Sequence, residues 1–335
     1  MNIKNLTLKQ KIAQMFITGF IGTDYLKNKY FANLIQNYLG GVIFFSHNIE
    51  SEKQIKELVQ KLNNNSSLPM FLSIDQEGGK VERTEKIHRG KKYLSAKPAF
   101  EMGLSYLQDQ TKQIALELKN YGMNMNFAPV LDVNTNKDNP IIGERAFSSN
   151  TQDVIIASKI VIKEYEKYGI IPAAKHFPGH GAASLDSHKT LPVINLSKEE
   201  LITKHILPFA QAIKTGLPAI MAAHVIYPAF DNKMPASLSK KIITGILIKD
   251  LAFNGIIITD DMEMNAVKGF SKEDACYSAI NAGITMFIFR DTTEEVFSLI
   301  EKIEQKVKIG DIPEEKINNA FEKIIDLKYR YGIIR

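Results

Sequence analysis

Eight short apolar, β-prone runs recur along the chain, separated by longer stretches of helical periodicity. They are MFITGF (15–20), GGVIFF (40–45), MFLSID (70–75), MNMNFAPVLDV (123–133), IPAAKHF (171–177), PAIMAAHVIY (218–227), GIIITDD (255–261) and ITMFIF (284–289). Between them lie amphipathic segments such as SEKQIKELVQKLNN and TQDVIIASKIVIKEYEKYG. Several of these open on Ser or Thr and close on Gly or Asn-Gly, residues that satisfy the free backbone groups at helix ends. Continuous apolar strands alternating with helices require a parallel sheet covered on both faces. Eight such units in 335 residues predict a (β/α)8 TIM-type barrel, one domain over residues 1–335, ahead of a doubly wound open sheet.

Composition narrows the function classes. Hydrophobic residues at 44% and charged residues at 24% allow a large core. The net charge of +5 comes from 42 basic and 37 acidic residues with no basic stripe, so no nucleic-acid partner is expected. Cys276 is the single cysteine and reads as a small buried side chain rather than a reactive thiol. The first twenty residues lack the uninterrupted apolar core of a signal peptide. No run reaches the ~18 apolar residues of a membrane span. The expectation is a cytoplasmic monomer with no membrane association.

Polar residues gather at the strand ends. The third run leads into Asp75 and then QEGGKVER; the fourth is followed by DNPIIGERAF. The fifth ends near Lys175-His176, the sixth near His224, and the seventh at Asp260-Asp261. The carboxyl ends of barrel strands carry the chemistry of this architecture, so convergence there predicts an active site. Adjacent strand residues point to opposite sides, so one of Asp260 and Asp261 faces the mouth while the other caps a turn. A carboxylate at the mouth can act as nucleophile, general base or metal ligand. Asp75, Arg83 and Arg145 suit recognition of sugar hydroxyls, the carboxylate accepting and the guanidinium fork donating. Arg145 fits a structural ion pair equally well. The long polar stretch 76–100 reads as a functional loop.

The stretch KHFPGHGAASLDSH (175–188) needs its own account. Metal binding by His176 and His180 would need helical i, i+4 geometry, which Pro178 and Gly179 break. Neither metal nor cofactor is expected. Asp186 and His188 fit an orienting pair, in which a carboxylate fixes the imidazole tautomer and stabilises the imidazolium. A serine hydrolase using Ser184 or Ser187 lacks the G-x-S-x-G elbow. Gly179 and Gly181 point to a loop that moves over substrate.

Four co-linear blocks, IDQEGGKVER, NPIIGERAF, KHFPGHG…DSH and GIIITDDMEM, together resemble the signatures of glycoside hydrolase family 3 β-N-acetylglucosaminidases. The nearest type is the single-domain bacterial enzyme of peptidoglycan recycling. The resemblance implies a retaining hydrolase with Asp260 as nucleophile and His188 as general acid/base, partnered by Asp186. It places Asp75, Arg83, Arg145, Lys175 and His176 around the N-acetylglucosamine. The implied partner is a small carbohydrate, an anhydro-muropeptide fragment. Other outcomes compatible with these residues are a family 3 β-glucosidase, a glycoside phosphorylase, or an inactive sugar-binding barrel. Glu82 stands where Gln is common in the family. Thr285 stands where Asp is common, and its effect is expected on the pocket wall or its support.

Overall fold

The computed structural model describes residues 5–184 and 191–335. Every apolar run contains a strand: β1 Phe16–Thr18, β2 Gly41–Phe44, β3 Phe71–Ile74, β4 Met125–Asn126, β5 Ile171–Phe177, β6 Ala219–Ala222, β7 Ile256–Asp261 and β8 Met286–Phe289. Each strand pairs in parallel with the next, and β8 returns to β1 to close the barrel. The fold is the predicted (β/α)8 barrel. The strands are buried along almost their whole length. One face packs into the barrel interior and the other against the helices, which is why the runs are continuously apolar. Thr7, Ser51, Asn150, Ser197, Ser271 and Thr293 cap the helices that follow them, each accepting a backbone N–H near the helix start.

Two strands keep less than half of their apolar runs while the chain goes on over the rim, for identifiable reasons. β4 keeps only Met125–Asn126 of the run 123–133. Pro129 lacks an N–H, and beyond it the chain touches β5 through one bridge, Val130 to Lys175, with Leu131 N donating to Lys175 O at 2.7 Å. β6 stops at Ala222, so His224 stands on the loop that follows. In both cases the excess run climbs out over the carboxyl rim instead of lengthening the sheet.

Thr285 and Lys328 make polar contacts at the base of the barrel. Thr285 lies below the mouth: its hydroxyl accepts from Ile257 N at 2.7 Å and donates to Ile257 O at 2.8 Å, stitching β7 to β8. Its effect is therefore on strand support, and it forms no part of the pocket wall. Lys328, in the helix Glu314–Arg330, is fully buried. Its Nζ donates to Gln14 Oε1 at 2.7 Å and lies 5.1 Å from the Phe71 ring centroid, tying the last helix to the first under the barrel.

Burial lowers the Lys328 pKa to about 7. An unfolded lysine keeps its proton up to about pH 10.4, so between these values the unfolded state binds more protons and stability rises with pH. Compared with Lys328→Met, the wild type should gain about 1 kcal/mol per pH unit across that window. Urea denaturation of both proteins at about pH 7.5 and about pH 9.5 measures this. A pH-independent difference would mean that folded Lys328 stays protonated throughout.

Candidate active site

The site is built around a buried lysine. Lys175, near the end of β5, is 3% exposed, and its Nζ lies 2.6 Å from both Asp75 Oδ1 and Glu77 Oε1. Burial opposes its charge, but the two carboxylates outweigh burial and raise its pKa. Glu77 in turn binds Arg145 through a two-pronged contact, Nε to Oε2 at 2.8 Å and Nη2 to Oε1 at 2.9 Å. Burial alone would raise the Glu77 pKa; Arg145 and Lys175 pull it well below the usual carboxylate range. Buried charges persist where partners and hydrogen bonds complete each other, as they do here. Three rim segments, after β3, after β4 and on β5, are thereby locked to one another.

Arg83 comes from the loop after β3. Its Nη2 approaches Asp75 Oδ2 at 3.8 Å, while its backbone N donates to Gln76 Oε1 at 2.8 Å. The loop is a folded unit: Glu82 accepts from Lys92 N and Tyr93 N, and Gly79 N donates to Tyr93 O. A Cβ on Gly79 would sit 1.7 Å from Ser95 Oγ, so the loop closes only with glycine there. Glu82 thus serves loop closure.

His176 is oriented by Asp132, a fully buried carboxylate beyond β4. Its Nδ1 lies 2.7 Å from Asp132 Oδ2, and Asp132 Oδ1 accepts from His180 N at 2.6 Å. Burial alone would raise the Asp132 pKa, but His176 and His180 hold it below the ordinary value. His180 also lines the cavity, and burial beside His176 drops its pKa to about 4.

At the end of β7 the two aspartates separate as alternation requires. Asp261 accepts from Glu263 N at 3.0 Å, capping the turn, and from Arg290 Nε at 2.6 Å. Asp260 faces the mouth. Its Oδ1 accepts from Asp261 N at 2.8 Å, and among the described residues no donor engages Oδ2. Enclosure opposes its ionisation; His176, His224, the Asp261 amide and Lys175 overcome this and hold its pKa at about 2. His224 is fixed between the Ser237 hydroxyl at 2.6 Å and Asp261 O at 3.2 Å.

A cavity of about 420 Å³ gathers Asp75, Arg83, Arg145, Lys175, His176 and Asp260 in its lining. Asp186 and His188 lie outside the described residues. In the part of their loop that is described, Gly179 takes a φ of +128°, a conformation that favours glycine. Gly181 packs where a Cβ would stand 1.9 Å from Val133 O, and a Cβ on Gly179 would press on His205. Tyr227 Oη, Asn139 and Asn136 donate to the carbonyls of Gly179, His180 and Ala183. Residues 179–183 are therefore held by donors from the segments after β4 and β6.

The glycosyl hydrolase family 3 N-terminal domain matches residues 7–327. The chain belongs to glycosyl hydrolase family 3. A beta-hexosaminidase A of Pseudoalteromonas piscicida is 32% identical over 326 residues, covering 89% of this chain and 54% of that protein. A beta-hexosaminidase of Nitrosomonas eutropha is 32% identical over 286 residues, covering 82% of this chain and 80% of the relative. The solved family 3 β-N-acetylglucosaminidase of Paenibacillus sp. str. FPU-7 superposes with a TM-score of 0.93 at 32% identity, over 98% of this chain and 63% of that one. The chain thus spans about half the length of the Pseudoalteromonas relative and under two thirds of the Paenibacillus chain. Among the described residues of this family 3 barrel, no group of three or more His, Cys, Asp or Glu could hold a metal ion, and no helix is long and apolar enough to cross a membrane.

Two supports of this family 3 site are easy to overlook in the sequence. Glu77 sits two residues from Asp75, and Asp132 is the last residue but one of its apolar run. Glu77→Gln leaves Lys175 and Arg145 underneutralised in a buried setting. It should lower the unfolding free energy by about 3 kcal/mol in urea titrations. An unchanged midpoint would show that Asp75 alone balances both cations.

Proposed function

We propose that this protein is a retaining β-N-acetylglucosaminidase that removes terminal non-reducing β-linked N-acetylglucosamine, with anhydro-muropeptide fragments of peptidoglycan as its substrates in cytoplasmic cell-wall recycling. The observation that carries the reading is Asp260: an ionised carboxylate with one oxygen unengaged among the described residues, facing a cavity whose opposite groups are hydroxyl-binding charges. The names of the relatives, beta-hexosaminidase and β-N-acetylglucosaminidase, support the choice of sugar.

The chemistry follows from the groups. Asp75, Arg83, Arg145, Lys175 and His176 hold the hydroxyls and acetamido group of the sugar in one orientation, so that the anomeric carbon stands over Asp260. Asp260 attacks that carbon, and the glycosidic C–O bond breaks as the leaving oxygen takes a proton from His188. The product is a glycosyl ester of Asp260. His188, now neutral, accepts a proton from water, whose oxygen displaces Asp260 and restores the carboxylate. Asp186 orients the imidazole and stabilises its charged form. The roles of Asp186 and His188 rest on the DSH block. Because Asp260 is ionised above about pH 2, the acid limb of the rate profile belongs to another group.

A panel of nitrophenyl glycosides tests the sugar: turnover of the β-N-acetylglucosaminide well above that of the β-glucoside is expected, and the reverse order would overturn the assignment. Asp260→Ala should lower kcat by at least about 10³-fold with the fold intact. His188→Ala should cost about 10²-fold on a disaccharide and much less on a nitrophenyl glycoside, whose leaving group needs little acid assistance. Equal losses on both substrates would remove His188 as the acid. Added phosphate with product analysis separates hydrolysis from phosphorolysis.

A further inference from the structure

Positive charge is concentrated in one loop. Residues 80–97, which follow β3, hold seven of the 42 Lys and Arg residues and two of the 37 Asp and Glu residues. The rest of the chain therefore carries 35 of each sign, and the net charge of +5 belongs to this segment. The charge forms a compact loop rather than a stripe along a helix.

Some of these cations are already matched. Arg83 turns inward to Asp75, Lys92 pairs with Glu117 at 3.1 Å, and Lys97 pairs with Glu101. Lys80, Lys86, Arg89 and Lys91 are exposed and make no ion pair among the described residues. Of the loop's acids, Glu82 is buried and engaged by the backbone N–H groups of Lys92 and Tyr93, which leaves Glu85.

The loop presents these cations from a fixed backbone. Gly90 N donates to Glu85 O at 2.8 Å, closing a turn that carries Lys86 and Arg89. Leu94 and Gln110 bond reciprocally, Leu94 N to Gln110 Oε1 at 2.9 Å and Gln110 Nε2 to Leu94 O at 3.0 Å. Farther along the same helix, Leu104–Asn120, Glu117 accepts from Tyr93 Oη at 2.7 Å. Positions 110 and 117 are about two helical turns apart, so one helix face holds the loop along its length. Charges held in a preformed arrangement lose little freedom when they meet a surface of opposite sign.

Exposed apolar side chains adjoin the cations. Leu94, 37% exposed, ends the loop, and Met102 and Leu104, 64% and 45% exposed, stand at the turn between the helices Ala96–Glu101 and Leu104–Asn120. The shorter helix spans only about 9 Å, which keeps these groups close to the loop. Lysine and arginine beside exposed aliphatic groups suit the headgroup layer of an anionic bilayer, where charge and apolar surface are both satisfied. An acidic polymer would use the charge but offers no apolar layer for Leu94, Met102 and Leu104.

We propose that residues 80–104 form a peripheral docking surface for anionic lipid membranes. Lys80, Lys86, Arg89 and Lys91 meet the headgroups, while Leu94, Met102 and Leu104 enter the boundary with the acyl chains. Such docking needs no spanning segment, and no helix among the described residues is one. It is reversible and salt-sensitive, because exposed charges are screened beyond about 10 Å at about 0.1 M salt.

The test sediments the full chain with vesicles of phosphatidylcholine alone, or with about 30% phosphatidylglycerol added, at about 0.1 M and about 0.5 M salt. Each cation near an anionic surface strengthens binding about fivefold, so the anionic vesicles should be preferred by about a hundredfold or more at the lower salt. The preference should collapse at the higher salt. Reversing the loop's unpaired cations together, Lys80→Glu, Lys86→Glu, Arg89→Glu and Lys91→Glu, should abolish it. A control with the same change in net charge reverses exposed lysines elsewhere, Lys61→Glu, Lys214→Glu, Lys240→Glu and Lys249→Glu, and should keep it. Met102→Ser combined with Leu104→Ser should weaken vesicle binding by about fivefold or more. Circular dichroism checks that each variant is folded. Equal binding to neutral and anionic vesicles, equal loss in both charge variants, or full binding by the Met102→Ser, Leu104→Ser protein overturns the proposal. Binding to polyglutamate or duplex DNA in place of vesicles overturns it too. The readout needs no substrate, so its outcome is independent of the hydrolase reading.

Discussion

Lys175 keeps its charge inside the rim because two carboxylates reach its Nζ at 2.6 Å. Arg145 completes the set by clasping Glu77. Isolated buried ions of this kind are costly, whereas a closed network in which each lone pair and proton finds a partner is tolerated. The network joins the ends of β3 and β5 to the segment after β4, and so holds these charges in register across the rim. A site whose polar groups are already oriented loses little free energy to reorganisation when it binds.

The other support is neutral in shape but equally directional. Asp132 lies beneath His176 and His180 and fixes the start of the loop that follows β5. The same loop is pinned by Asn136, Asn139 and Tyr227, each donating to one of its carbonyls. Gly181 is required by crowding, since no side chain fits between it and the Val133 backbone, and Gly179 by its φ of +128°. A glycine in a sequence signals either freedom or closeness, and only the neighbours that pack on it distinguish the two.

The mouth then separates into a charged arc from the segments of β3 to β5 and an arc after β8, β1 and β2 that carries Ile21, Phe45, His47 and Arg290. Parallel closure of the barrel is what makes these arcs continuous, because residues from β8 and β2 become neighbours only through β1.

The strand count, the parallel barrel and the strand-end location of Asp75, Lys175, His176 and Asp260 were legible in the residues alone. Apolar runs of period-free burial alternating with capped helices admit few architectures, and a barrel sends the ends of its strands to one face. The separation of Asp260 from Asp261 was legible too, since alternation along a strand is local geometry. Local rules did not disclose that Glu77 is the counter-ion of both Lys175 and Arg145, that Asp132 orients His176, that Thr285 serves the barrel base, or that Arg290 faces the mouth. Those pairings join residues far apart in the chain, and their charges become partners only where burial removes the water that would otherwise screen them. Sequence determined which groups stand at the rim; tertiary packing decided which of them neutralise one another and which remain open to a substrate.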